Sequence, residues 1–343
     1  MADGMLILSR AEVIRCLALL DPVEVIAKVL RLHAGGRTTL PAEGYLTWQN
    51  SQDQYSRALA MLGAITPPDA QPSFGMKLMN ASVGNPALGM ERAGGFTVLF
   101  DPETARPVTL LEAGHLSALR TAAYTICSLR ELGPERVDRV SIIGCGTLAR
   151  MHVSLLERYF PDFSRLSLFD LDGRRAAELV ADQQSAHPQL EVVQAPSARA
   201  CFGESNVVIT LTTSNQPYAE VDWIRAGTMI AHVSLDNVGE SVFTAAEAIY
   251  VDDLELVAEN PRRILGQLLS DGIILSPRSE LIGPRVAGSL CDVLAGNLAG
   301  RRPGDGFVVS NPFGMSVLDV GLATAVAGVA QRERTGTFVD LLG

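Results

Sequence analysis

The feature that most constrains the fold is an alternation of short apolar runs with helical stretches in the second half of the chain. The apolar runs span 140–143, 166–169, 192–193, 207–211, 229–235 and 249–251. Helical patterns stand between them, over 148–159 and 174–185 among others. This alternation predicts an α/β fold, with a Rossmann-type doubly wound parallel sheet covered by helices on both faces.

A glycine turn follows the first of these runs and opens the first helical stretch. Gly144 and Gly146 occupy two positions of a Gly-x-Gly-x-x-Ala pattern, and Ala149 fills the third. Such a turn lets backbone N–H groups at a helix N-terminus meet a dinucleotide pyrophosphate. We therefore expect Gly144, Gly146, Thr147 and Leu148 to bind a cofactor, although glycines also occur in ordinary strand-to-helix turns.

Two further positions fit a dinucleotide site. Asp170 ends the second run about 20 residues past the glycines, where an acidic residue bonds the ribose 2′-hydroxyl. A carboxylate there repels a 2′-phosphate, so NAD is favoured over NADP; Arg174 and Arg175 weaken that preference. Thr212 and Thr213 follow the fourth run, at the carboxyl edge where doubly wound sheets bind ligands.

The first part of the chain has a different, mixed pattern. Two helices break at Asp21-Pro22, several strands follow, 96–111 is typical of a hairpin, and a helix starts near 114. The Ala-rich segment 315–334 predicts a buried helix that returns to this first domain. We expect an α+β domain over 1–124 and 311–343, and the Rossmann domain over 125–310.

Composition excludes several classes of protein. The formal net charge of -10 argues against nucleic acid as the partner, because phosphates need a basic surface. No apolar stretch approaches a membrane span, and residues 5–8 lack the flanks of a signal peptide. The five cysteines are odd in number and lack metal-like spacing, which indicates no metal site and a reduced, cytoplasmic setting.

Five segments of the chain resemble the ornithine cyclodeaminase/mu-crystallin family. They are FGMKLMNASVGNP (74–86), FTVLFDPETARPVTLLEAGHLSALRTAA (96–123), IIGCGTLAR (142–150), HVSLD (232–236) and NPFGMSVLD (311–319). The resemblance implies NAD as cofactor, a small amino-acid substrate and hydride transfer at its Cα to give an imine. It also implies a substrate and dimerisation domain completed by the C-terminal helix, with homodimers paired through their N-terminal sheets.

The same resemblance implies roles for individual residues. Lys77 and Arg120 match the family's carboxylate-binding lysine and arginine, and a planar guanidinium suits a bidentate contact. Arg92 is a candidate for a second carboxylate. Thr121 is expected to touch the cofactor phosphate. Asp236 matches the catalytic aspartate, which would take a proton from the substrate amine or activate water.

The remaining candidates follow the fifth and last strands. Asp236 is expected to end the fifth strand, and even spacing would place His232, Ser234 and Asp236 on one face. Ser234 would then bind the cofactor, whereas His232 is either a proton relay or a structural histidine. In the family the loop 311–315 approaches the nicotinamide, so we also expect Met315 to bind the cofactor.

Within the family, the chain is most similar to one NAD-dependent branch. Its members oxidise N-(1-amino-1-carboxy-2-ethyl)-L-glutamate to 2-oxoglutarate and L-2,3-diaminopropionate, in siderophore pathways of the staphyloferrin B type. The Pro-Gly-Lys that follows the aspartate in cyclodeaminases is absent after Asp236. That counts against ring closure, but a cyclodeaminase, a ketimine reductase, an alanine-dehydrogenase-like enzyme and a non-catalytic NAD(P)H-binding protein stay open.

Overall fold

The computed structural model describes residues 4–301 and 306–340. They form two compact units. The first unit contains the described residues up to Thr121 and from Met315 onward, and the second unit spans Ala122–Gly314. The boundaries at 124 and 311 expected from sequence lie a few residues from these.

The first unit begins with an α+β segment. Its strands are β1 (Met5–Leu8), β2 (Thr38–Thr39), β3 (Gly44–Gln49), β4 (Tyr55–Ile65), β5 (Ser73–Ser82), β6 (Ala93–Phe100) and β7 (Pro107–Glu112). Its helices are α1 (Arg10–Leu17), α2 (Pro22–Ala34) and α3 (Gly114–Leu132), the last of which contains the boundary. The predicted break at Asp21-Pro22 is confirmed: the Asp21 carboxylate accepts hydrogen bonds from the Val23 and Glu24 N–H groups and so caps α2.

The second unit alternates strands and helices. Its strands are β8 (Arg139–Ile143), β9 (Arg165–Phe169), β10 (Glu191–Gln194), β11 (Val207–Thr210), β12 (Met229–His232), β13 (Ala248–Val251), β14 (Val286–Ser289) and β15 (Val308–Asn311). Its helices are α4 (Thr147–Tyr159), α5 (Gly173–Ala186), α6 (Ala198–Glu204), α7 (Glu240–Ala245), α8 (Leu254–Ala258), α9 (Ile264–Ser270) and α10 (Leu290–Leu294).

The sheet of the second unit is parallel throughout, in the order β10-β9-β8-β11-β12-β15-β13-β14. Its first five strands follow the doubly wound order, and the strand order reverses between β8 and β11. The predicted α/β fold class is therefore confirmed. Two runs are shorter than expected, because β11 ends at Thr210 and β12 ends at His232. Neither β14 nor β1 was predicted as a strand.

The chain then returns to the first unit as α11 (Ser316–Arg332) and β16 (Thr337–Val339). The first sheet has the order β16-β1-β7-β6-β5-β4-β2, with β3 also paired to β4. Gly63 on β4 and Gly75 on β5 are register partners. A Cβ on Gly63 would lie 2.8 Å from the Ser316 hydroxyl, and one on Gly75 would lie 3.2 Å from Val320. The paired glycines therefore let the predicted C-terminal helix approach this sheet closely.

Three further observations concern the described residues as a whole. No described helix is both long enough and apolar enough to span a membrane. The described side chains include no group of three or more His, Cys, Asp or Glu arranged to hold a metal ion. All five cysteines lie in the described ranges, buried and without a disulfide partner.

Candidate functional site

The first unit brings two predicted substrate-binding cations together on one carboxylate. Lys77 lies on β5, Arg120 on α3 and Asp319 on α11. The Lys77 Nζ donates to Asp319 Oδ2 at 2.7 Å, and the Arg120 Nε lies 3.1 Å from the same oxygen. Asp319 is fully buried, whereas Lys77 and Arg120 are 3% and 9% exposed. We call these three residues the cation cluster.

The local structure explains how the cation cluster forms. Lys77 lies two residues after Gly75 on β5, so its side chain points to the same face of the sheet, on which α11 packs. Asp319 is the first acidic residue of α11, in a helix that is otherwise apolar over most of its length. A charge buried in such a helix needs a paired cation, and the cluster supplies two.

Burial and the neighbouring charges act in opposite directions on the cluster. Burial lowers the pKa of Lys77, Asp319 opposes that effect and Arg120 adds to it, which leaves the pKa at about 8. Burial would raise the pKa of Asp319, but Arg120 and Lys77 together hold it below its usual value. With all three groups ionised, the cluster carries one net positive charge, which suits a substrate carboxylate.

The second unit contains the glycine turn, between β8 and α4. Gly144 has φ +100°, and a Cβ there would lie 2.7 Å from the Leu211 carbonyl carbon, so this position requires glycine. A Cβ on Gly146 would meet no atom within 4 Å. The first glycine therefore shapes the turn, and the second leaves open the space that a side chain would fill. Both properties fit a pyrophosphate at the N-terminus of α4.

The acidic residue and the helix start lie beside this turn. The Asp170 carboxylate accepts hydrogen bonds from the Cys145 N–H at 2.8 Å and from the Asp172 N–H at 2.9 Å. Asp170 thus links the residues that follow β8 and β9, and its role in binding a ribose stays a prediction. Thr147, the first residue of α4, is exposed, and Leu148 is half-buried.

The carboxyl ends of β11 and β12 carry a hydroxyl network. The Thr212 Oγ1 donates to Asn237 Oδ1 at 2.9 Å, and the Ser234 Oγ donates to Thr210 Oγ1 at 2.9 Å and also to Asn237. Thr213 is exposed. The structure thus brings Thr212 and Ser234 together around the Asn237 amide, at the ligand-binding edge of a parallel sheet.

The expectation that Asp236 ends a strand is wrong. Because β12 stops at His232 and Leu235 has φ +69°, residues 233–236 form a turn and share no strand face. The Asp236 carboxylate accepts from the Arg263 Nη1 at 2.5 Å and from the Ile264 N–H at 3.3 Å. Ile264 is the first residue of α9, so Asp236 has the contacts of a residue that caps this helix.

His232 is held as a structural histidine. Its Nε2 accepts from the Asn237 and Val238 N–H groups at 3.0 and 3.3 Å, so its Nδ1 carries the proton. That Nδ1 donates to Asn311 Oδ1 at 2.5 Å. Burial lowers the pKa of His232 to about 4, a neutral ring at physiological pH. Of the two roles expected for His232, these contacts favour the structural one.

A second buried aspartate fixes the loop that follows β15. Asp252 Oδ1 accepts from the Phe313 N–H at 3.0 Å, and its Oδ2 accepts from the Gly314 N–H at 2.6 Å. Asp252 is fully buried, and burial raises its pKa more than these N–H groups lower it. The loop therefore owes its shape to one carboxylate at the end of β13.

The remaining predicted residues make none of the contacts described above. Arg92 is exposed and immediately precedes β6. The Thr121 Oγ1 donates to the Ser117 carbonyl at 2.8 Å. Met315 is fully buried in the first unit, so its side chain offers a cofactor no accessible surface.

Three residues of these sites were missed from the sequence. Asp319 gave a signal, because an acidic residue in the middle of an apolar helix must be paired if the helix is buried. Asp252, at the carboxyl end of a buried strand, gave a weaker one. Arg263 gave none, since its partner Asp236 lies 27 residues away along the chain.

Comparison with known proteins agrees with this fold. An N-((2S)-2-amino-2-carboxyethyl)-L-glutamate dehydrogenase of Staphylococcus aureus is 27% identical over 321 residues, which cover 93% of each chain. The crystal structure of a protein named CmnK is 51% identical, covers 100% of both chains and has a TM-score of 0.92. An archaeal alanine dehydrogenase dimer with bound NAD has a TM-score of 0.84 at 23% identity, covers 99% of this chain and 100% of its own, and shows the shared fold.

The family assignment follows from the length of the match. The model of the ornithine cyclodeaminase/mu-crystallin family matches residues 5–333, which include the cation cluster, the glycine turn and the loop after β15. The chain therefore belongs to the ornithine cyclodeaminase/mu-crystallin family.

Proposed function

We propose that the protein is an NAD-dependent amino-acid dehydrogenase that cleaves N-((2S)-2-amino-2-carboxyethyl)-L-glutamate. The reaction consumes this substrate, NAD⁺ and water, and yields 2-oxoglutarate, L-2,3-diaminopropionate, NADH and a proton. The staphylococcal dehydrogenase, which matches along 93% of both chains, supports this substrate. The 2,3-diaminopropionate would supply a siderophore or another secondary metabolite.

The observation that carries the proposal is the cation cluster. An amino-acid substrate presents at least one carboxylate, and a buried ammonium beside a guanidinium binds that group with both charge and geometry. Lys77 and Arg120 share Asp319, so one positive charge stays available for the substrate. Arg92 is the proposed partner of a further carboxylate of this glutamate-derived substrate.

The residues of the second unit fit the cofactor. Gly144, Gly146 and the start of α4 would hold the pyrophosphate, and Asp170 the adenosine ribose. The Thr212 and Ser234 hydroxyls would contact the nicotinamide ribose. When bound, NAD would take up the hydride that leaves the glutamate Cα. Asp170 favours NAD over NADP, because its carboxylate repels a 2′-phosphate.

Asp236 is the proposed proton acceptor. After the glutamate Cα has lost its hydride and the nitrogen its proton, water adds to the C=N carbon. The C–N bond then breaks, and the nitrogen leaves with a proton as the amine of 2,3-diaminopropionate. Asp236 would accept the proton of the attacking water. The hydrogen bonds that Asp236 accepts from Arg263 and Ile264 would orient its carboxylate.

Turnover of candidate substrates by the purified protein tests the proposal. We expect NADH absorbance to appear with NAD and the glutamate conjugate, and mass spectrometry to find 2-oxoglutarate and 2,3-diaminopropionate in equal amounts. Ammonia release from ornithine without net NADH would identify a cyclodeaminase. Consumption of NADH with cyclic imines would identify a reductase. Tight NAD binding with no turnover of any of these compounds would indicate a binding protein.

Two variants assign the residues within that assay. Asp236→Asn removes the proton acceptor but keeps the shape of the side chain, so we expect kcat to fall by about 10²–10⁴-fold. Asp170→Ser removes the carboxylate that repels a 2′-phosphate, so we expect the preference for NAD over NADP to shrink. An unchanged kcat in Asp236→Asn, with its fold intact by circular dichroism, would remove Asp236 from the mechanism.

We further propose that the protein is a homodimer joined through the sheet of the first unit. All six residues of β3 are exposed, and they include Tyr45, Leu46 and Trp48. Large exposed apolar side chains on an edge strand are typical of a covered surface. Light scattering coupled to size-exclusion chromatography is expected to give twice the chain mass for the wild type. The double variant Leu46→Asp/Trp48→Lys is expected to give the mass of the monomer.

A further inference from the structure

We propose that Asp319 is a positioning residue that joins Lys77 and Arg120 into one anion-binding unit and keeps Lys77 charged. The inference rests on the proposed function, in which these two cations bind the substrate carboxylate. It adds a third residue, which touches neither substrate nor cofactor and acts only through the side chains of Lys77 and Arg120.

The geometry supports a role beyond simple neutralisation. One oxygen, Asp319 Oδ2, receives Lys77 at 2.7 Å and has Arg120 at 3.1 Å, so two cations from β5 and α3 meet at one point. The other oxygen, Oδ1, is buried without a hydrogen-bond partner among the described residues. Both ion pairs of the Asp319 carboxylate are therefore formed by the same oxygen, Oδ2, at the point where Lys77 and Arg120 meet.

Stability alone gives no reason for an aspartate here. Its neighbours Leu318 and Val320 on α11 are fully buried apolar residues, and a buried ion pair is often replaced by apolar groups without loss of stability. Removing only one partner is costly, because a charge is then left buried and unpaired. An aspartate at this position is expected where Lys77 has to remain an ammonium.

The charged groups around Lys77 determine the direction of each effect. Asp319 and Glu43 raise its pKa, Arg120 lowers it, and burial lowers it most of all. The Ser117 hydroxyl lies 3.4 Å from the Nζ, and the register partners of Lys77 on β4 and β6 are the neutral Met61 and Thr97. Loss of Asp319 should therefore lower the pKa of Lys77, and loss of Arg120 should raise it.

The sequence offers an unusually clean experiment, because the chain contains only two lysines, Lys28 and Lys77. Lysine labelled with ¹³C gives one side-chain signal from each, and Lys28 is exposed on α2. In the wild type we expect Lys77 to titrate near pH 8. Lys28 thus serves as the internal control in every sample.

Two variants are expected to move the Lys77 midpoint in opposite directions. Asp319→Asn should lower it by about one to three pH units, the usual effect of one close opposite charge. Arg120→Gln should raise it, which keeps the test available if Asp319→Asn fails to fold. Glu112→Gln, which removes a carboxylate paired to Arg10 at 2.8 Å in the same unit, should leave it unchanged.

The kinetic readout separates positioning from a structural role. Above its lowered pKa, Lys77 is neutral in Asp319→Asn, so the KM for the conjugate should rise by about 10-fold or more. This rise in KM should begin at a lower pH than in the wild type. Adding Lys77→Arg, which stays charged, should remove the shift in pH. A rise in KM that is equal at every pH, with the Lys77 midpoint unchanged, would overturn the inference.

Failure of the proposed function would look different. If the wild type turned over none of the substrates, the dehydrogenase proposal would fall, whereas the NMR titration would still show whether Asp319 sets the charge of Lys77. An unchanged Lys77 midpoint in both Asp319→Asn and Arg120→Gln would reject the inference even in a fully active dehydrogenase.

Discussion

The two units of the protein hold their buried carboxylates by different means. In the first unit the fully buried Asp319 is surrounded by two side-chain cations, Lys77 and Arg120. In the second unit the equally buried Asp252 accepts hydrogen bonds from the backbone N–H groups of Asp253, Phe313 and Gly314. Residue type and burial are the same, and only the donors differ.

That difference reverses the direction of the net pKa shift of the two carboxyl groups. Burial raises the pKa of both carboxyls, but Arg120 and Lys77 more than reverse it at Asp319. The N–H groups around Asp252 only reduce it, so its pKa stays raised. Full charges therefore stabilise a carboxylate in the first unit, whereas dipoles in the second unit fix its position without fully supporting its charge. The same contrast extends to the proposed binding groups, which are side-chain cations in one unit and a backbone turn in the other.

The largest expected effect comes from making the same substitution at both aspartates. Asp319→Asn leaves two cations without their counter-charge, so we expect the free energy of unfolding to fall by about 3–5 kcal/mol. Asp252→Asn keeps one acceptor oxygen and turns an NH₂ group toward an N–H donor, which should cost about 1–3 kcal/mol. Urea unfolding at pH 7 measures both, and equal losses would contradict the contrast between the two units.

The glycine turn offers a backbone counterpart with a somewhat smaller effect. Gly144→Ala places a Cβ 2.7 Å from the Leu211 carbonyl carbon at φ +100°, so we expect a loss of about 3 kcal/mol from strain and overlap. Gly146→Ala meets no atom within 4 Å and should leave the free energy of unfolding unchanged within about 0.5 kcal/mol.

The two alanine variants should diverge again in NAD binding. In Gly146→Ala the methyl group fills the space assigned to the pyrophosphate, so isothermal titration calorimetry should show a clear rise in Kd despite the intact stability. Unchanged affinity in Gly146→Ala would move the pyrophosphate away from this turn.

Local sequence rules worked well for the second unit, because its structure follows from repeating patterns. The parallel sheet, the glycine turn and the position of Asp170 beside that turn all come from short-range periodicity and spacing. The limits of the strands were less predictable. The run that ends at Leu235 has the pattern of a strand, yet β12 stops at His232, because the chain turns back and the Asn237 and Val238 N–H groups donate to the His232 ring.

The cation cluster shows what such rules leave out. The family resemblance points to Lys77 and Arg120, but no local pattern links Lys77 to Asp319, which lies 242 positions further along the chain. The same holds for Asp236, whose partner Arg263 comes from another loop. Pairing between distant charged groups depends on which helix packs on which strand. Only the close approach of α11 to Gly63 and Gly75 determines that Asp319 reaches Lys77.

The smallest expected effect is a loss of stability at acidic pH, and it arises in the second unit. His152 is fully buried between the Leu148 carbonyl and the Thr125 hydroxyl, and burial lowers its pKa to about 4. In the unfolded chain the histidine pKa is about 6.5, so between pH 6.5 and 4 the unfolded state takes up a proton that the folded state does not. Stability is lost in that window as the pH falls.

His152→Gln isolates this contribution. Lowering the pH from 7 to 5 should cost the wild type about 2 kcal/mol through His152, and the variant should lack that part of the loss. His33→Gln, at a half-buried histidine of the first unit, is the control and should change the pH dependence less. The Asp319 contribution cannot produce the same signal, because a lowered carboxyl pKa removes stability only below about pH 4. An unaltered slope between pH 7 and 5 in His152→Gln would show that His152 does not contribute to the acid sensitivity.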